Sequence, residues 1–243
     1  MPTALLVPET ALLVPGVSGR TPVLAALAEA ALEAARALVA GDPGRVLVIA
    51  PGAADRSAEA SELCASLEPL GVAERHLGWP APCLRTGCPG HGTRAESRAG
   101  TGAALALRLL EAAGWRGPTT VLELGASPSP ERDELAVQHL DAQLLVVSSL
   151  SARRDESSPR AADPRAVPFD EATVADLLEP SHEAVFRLLE AEGQLALELG
   201  ASGTEPWREL ARRAGGHEVE AREEAAALEL GMDYRVITWR WDA

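Results

Sequence analysis

A chain of 243 residues with 47% hydrophobic side chains can bury a real core, in one large domain or two small ones. Its formal charge of -14 excludes nucleic acid, whose phosphates it would repel, and disfavours an anionic membrane surface. Every basic side chain is arginine, and aromatics are only 3%, so Ala, Leu and Val must fill the interior. The missing lysine and the alanine richness read as the codon bias of a GC-rich genome.

The pentapeptide ALLVP occurs at Ala4–Pro8 and again at Ala11–Pro15. The first copy predicts a short buried strand stopped by proline. The second leads into Gly16, Ser18 and Gly19 and reads as a connector. One repetition at a seven-residue spacing is neither a solenoid nor a coiled coil. An Ala/Leu helix is expected over Pro22–Val39, then a buried strand over Arg45–Gly52. Ser57–Leu70 reads as helix and Val72–Leu77 as a strand. Trp79–Arg94 is an irregular loop rich in Pro, Gly and Cys. Ser97–Gly114 is a helix closed by glycine. Thr119–Gly125 is a strand, ERDELAVQHLDA a helix, and Gln143–Ser151 a strand running into a polar loop. Asp170–Leu178, Ser181–Leu199 and Glu205–Ala214 are helical. Tyr234–Trp241 is a last, alternating strand.

Strands alternating with helices predict an α/β fold: one domain over residues 1–243, a layered sheet with helices on both faces. Ligands in such folds gather beyond the carboxyl ends of the strands. That places Glu9, Ser149 and Ser151 at the expected cleft. No stretch of about 18 residues is both apolar and uncharged, so no membrane span is expected. The N-terminus lacks the basic region of a signal peptide, and three cysteines are too few for a disulfide scaffold. The expected location is the cytoplasm.

The stretch SARRDESSPRAADPRAVPFD (Ser151–Asp170) resembles a group of bacterial proteins related to the LigB-type component of class III extradiol ring-cleaving dioxygenases. VPETALLVPGVSG is similar to the opening of those relatives, and GTEPWRELARRAGG to their late Trp-containing helix. The resemblance spans nearly the whole chain and implies a LigB-like fold. It also implies an Fe(II) site of two His and one Glu, with a further His as acid–base group. The sequence departs from that set at each position. Glu9 stands at the first metal His. The second-strand exit, APGAADRS, has no His. Ala152 stands where the acid–base His would be. Four residues before Trp207 lies Gly203, with Glu205 nearby.

Three local clusters carry candidate chemistry. Glu9 can ligate a hard divalent ion, with Asp55 and Glu123 as companions, or be a plain loop acid. Cys83, Cys88 and His91 have metal-like spacing, with Cys64 or His76 to complete a set; a redox pair or two free thiols in a loop are the alternatives. Arg153, Arg154 and Arg165, with Arg160 between them, form a basic cluster able to hold an anion. The competing reading pairs them internally with Asp155, Glu156, Asp163 and Asp170. His139 and His182 fall within predicted helices and read as packed or surface residues. No phosphate loop and no Gly-x-Ser-x-Gly frame is present.

The leading expectation is a LigB-like relative of the extradiol dioxygenases with a degenerate Fe(II) site. It would be non-catalytic and bind a small anion or a protein partner, with no resident cofactor. The alternatives are a metal-dependent enzyme remodelled around Glu9, or an active extradiol dioxygenase using Fe(II). Whether the chain forms an oligomer stays open.

Overall fold

The computed structural model describes residues 3–80, 98–127, 129, 132, 139, 141–191 and 193–242. Seven strands form one mixed sheet: β1 (Thr3–Pro8), β2 (Val46–Pro51), β3 (Arg56–Glu59), β4 (Thr119–Leu124), β5 (Gln143–Ser148), β6 (Val219–Glu229) and β7 (Met232–Trp241). Their order is β3-β4-β2-β5-β1-β7-β6. The four central strands are mutually parallel, and β3 and β7-β6 close the two sides antiparallel.

The central strands read as unbroken apolar runs because both faces are covered. Alternate residues serve opposite layers. Leu5, Val7, Val48 and Val147 face one core, with helices α1 (Ala25–Val39) and α2 (Thr101–Ala112). Leu6, Ile49, Leu144 and Val146 face the other. That second layer is built by α3 (Ala166–Leu178), α4 (His182–Glu190) and α6 (Thr204–Ala214), with α5 (Gly193–Leu199) packed beside α6. In α1 the buried positions Leu27, Ala31, Ala34, Ala35 and Leu38 recur every three to four residues, as one apolar stripe. The fold is α/β, with helices on both faces of one sheet. Among the described residues no helix is long and apolar enough to cross a membrane.

Three expectations are overturned. Ser57–Leu70 is not a helix: Arg56–Glu59 is strand β3, followed by single 3-10 turns at Ala60–Glu62 and Glu68–Leu70. Its Ala and Glu content favours helix, but pairing against β4, with Arg56 opposite Glu123, supplies ladder bonds and an ion pair that a helix would forfeit. Val72–Leu77 is not a strand: Glu74–His76 is a 3-10 turn. Glu74 is drawn inward there by the buried Arg108 and by the Ser66 hydroxyl. Ser181–Leu199 is two helices rather than one. The helix expected over ERDELAVQHLDA and most of the Trp79–Arg94 loop lie outside the described residues.

Candidate functional site

β1 ends beside β5, with Pro8 opposite Ser148, and the Glu9 N–H donates to the Ser148 carbonyl at 3.0 Å. The strand therefore delivers Glu9 to the carboxyl edge of the sheet. Its carboxylate receives hydrogen bonds from the Ser202 hydroxyl and the Gly102 N–H. It rests over Gly102, where an added Cβ would come within 3.3 Å of Glu9 Oε1. No arginine pairs with it among the described residues. Burial pushes the Glu9 carboxyl above its ordinary value, against the two hydrogen bonds.

The other carboxylates at this edge each hold an arginine. Glu123, at the end of β4, takes Arg56 and the Gly100 N–H. Asp55, following β2, takes the Nε of Arg132 at 3.0 Å and the N–H groups of Gly125 and Ser129. Arg132 also reaches Glu205 on α6, so one buried guanidinium bridges Asp55 and Glu205. Burial pushes the Asp55 carboxyl up, but Arg132 and the two N–H groups outweigh it and bring it to about 2. Asp55 is thus kept ionised by an internal cation. Glu205 also binds Arg208.

Gly203 has a physical reason to be glycine. An added Cβ would lie 2.1 Å from the Trp207 ring. Trp207 is itself fixed by its indole N–H on the Ser148 hydroxyl at 2.9 Å. A glutamate four residues before Trp207 therefore cannot stand in this packing. Among the described residues, no group of three His, Cys, Asp or Glu side chains is placed to share a metal ion. Cys83, Cys88 and His91 lie outside the described residues. Cys64 is half-buried.

Of the three edge residues expected at the cleft, Glu9 and Ser149 are brought together, the Ser149 hydroxyl donating to the Glu9 carbonyl at 3.3 Å. Ser151 is carried into the core. Its N–H and hydroxyl both donate to the fully buried Asp170, at 2.8 and 2.7 Å. The arginines of the basic cluster have separate partners. Arg154 joins Ser151 on Asp170. Arg165 holds Asp163 and Glu198. Arg153 reaches the Ala161 carbonyl. Arg160 differs: it is exposed, and its guanidinium has no partner among the described residues.

Arg160 lines a cleft of about 260 Å3 beyond the ends of β2 and β4, with Pro51, Gly52, Leu124, Ser202 and Glu205. Ser202 joins this cleft to Glu9. Its hydroxyl accepts the Ser149 N–H at 3.2 Å while donating to the Glu9 carboxylate. Neither Ser202 nor Arg132 stands out in the sequence. Nothing in either residue's local pattern points to a site; only the crossing of α6 and the loop before it over the strand ends does.

No family model matches the chain, and no curated protein matches it. Among solved structures, the chain is similar to an uncharacterised protein of Escherichia coli K12. The two are 13% identical, with 98% of this chain and 99% of that one covered, at a TM-score of 0.46.

Proposed function

We infer that this chain is a LigB-like α/β protein that binds a small anionic molecule, without a metal, in the cleft beyond β2 and β4. The observation that carries the reading is Arg160. It is a cation with no partner among the described residues, on the wall of a strand-end cleft, in a chain whose neighbouring edge carboxylates already hold arginines. A guanidinium there offers a carboxylate or phosphate a bidentate pair. Arg132 supports the metal-free part of the reading, since its charge already balances Asp55 and Glu205.

The test is a thermal-shift screen of chelator-treated protein with small carboxylates and phosphates, repeated on Arg160→Gln. A rise in melting temperature lost in the variant supports the reading. Iron near one equivalent in purified protein, with ring opening of protocatechuate, would overturn it in favour of an active dioxygenase. A second reading rests on Glu9, a partly buried carboxylate with no counter-charge among the described residues. It makes Glu9 the first ligand of a remodelled metal site. Stabilisation by Mn2+ or Zn2+ that disappears in Glu9→Gln would establish that reading instead.

A further inference from the structure

A second cavity lies against the start of α6, at Thr204 and Trp207. It measures about 550 Å3, within the roughly 300–1,000 Å3 typical of small-molecule sites. Its walls are apolar: Pro168, Phe169 and Ala172 from α3, Leu188 from α4, Leu195 from α5, and Trp207 from α6. Phe169 and Pro168 make flat, rigid surfaces of the kind that stack on a ring, while Trp207 is only 3% exposed.

One polar group in this wall is out of place. Thr204 is 6% exposed, it lines the cavity, and its Oγ1 is buried with no hydrogen-bond partner among the described residues. A buried hydroxyl left unpaired costs about 1–3 kcal/mol, so a native fold that keeps one calls for an explanation. The charged residues of the rim do not supply one. Arg187 is held by Asp176, and Arg165 by Asp163 and Glu198. With these charges already paired, the rim offers no free partner to offset the desolvation of a charged ligand.

We propose that this cavity binds an uncharged, ring-containing small molecule bearing one hydroxyl or carbonyl oxygen, which pairs with Thr204. Phe169 and Pro168 hold the ring. This site is separate from the Arg160 cleft, although Thr204 stands in the wall between the two.

The probe is 1-naphthol, with two fused rings and one hydroxyl, followed by titration calorimetry. Wild-type protein should bind it saturably. Thr204→Val keeps the side-chain shape and removes the hydroxyl; it should weaken binding about tenfold. Ala172→Trp places a large ring in the cavity from an exposed position that tolerates it, and should abolish binding. Arg160→Gln should leave naphthol binding unchanged, which separates this proposal from the anion reading. Absence of saturable binding to the wild type, or binding indifferent to either Thr204→Val or Ala172→Trp, overturns the proposal.

Discussion

Replacing Arg132 by Met removes the cation between Asp55 and Glu205 while keeping a side chain of similar length. Two carboxylates then stay behind, with side-chain exposures of 0% and 10%. Removing one partner of a buried ion pair typically costs ~3–5 kcal/mol, because the remaining charge has lost its compensation. Here the cost should fall at the lower end, about 3 kcal/mol. Glu205 keeps Arg208, and Asp55 keeps the N–H groups of Gly125 and Ser129. The assay is urea unfolding followed by far-UV circular dichroism and tryptophan fluorescence. The pH dependence supplies a second check. The folded Asp55 carboxyl lies at about 2, below its ordinary 3.8. Its contribution is therefore present above pH ~4 and is lost as pH falls toward 2. The Arg132→Met penalty should shrink over that same interval, and Asp55→Asn in the variant background should recover part of it. A penalty under about 1 kcal/mol at pH 7, or one that does not change with pH, would refute the bridging role.

Ser151→Ala should destabilise by about 1.5–3 kcal/mol in thermal unfolding, since it strips one donor from the fully buried Asp170. Arg154→Ala should likewise act on stability through Asp170, leaving anion-induced thermal shifts in place. Gly203→Ala should cost about 1–3 kcal/mol by overpacking and shift the Trp207 emission, as the ring is pushed from its place. Glu9→Gln should stabilise the fold relative to wild type as pH rises above 4.5. A carboxyl raised by burial binds its proton more tightly when folded, so ionisation weakens the native state, and an amide does not ionise. Stability curves of both proteins from about pH 4 to 8 check the sign.

The strands that build the site were legible because parallel, doubly covered strands announce themselves as short apolar runs. TALLVP, VLVIAP and QLLVVS each do so. The edges were not. RSAE becomes a strand only because β4 needs a partner there, and no local preference of those four residues records it. The hairpin is a similar case. VEAREEAAALE is rich in helix formers, yet it pairs along its length with β7 through a turn in which Leu230 takes φ 52° and Gly231 φ 66°. Glu9 could be placed from the proline that ends β1. Its hydrogen bonds could not, because Ser202 and Gly102 are distant in sequence and meet it only across the sheet edge. The arginine cluster shows the same limit. Spacing brought Arg153, Arg154, Arg160 and Arg165 into one loop, but tertiary packing decided that, of these four, Arg160 is left without a partner among the described residues.

Calorimetric titration in the presence of EDTA tests anion binding at Arg160 most directly, using the anion that gives the largest thermal shift against wild type and Arg160→Gln. Saturable one-to-one binding to the metal-free protein is the expected result. It should weaken with added salt and fall by at least about tenfold in the variant, as expected for loss of one charge-assisted pair worth ~1.5–3 kcal/mol. Binding that appears only when a divalent metal is restored, or that survives Arg160→Gln unchanged, would contradict it.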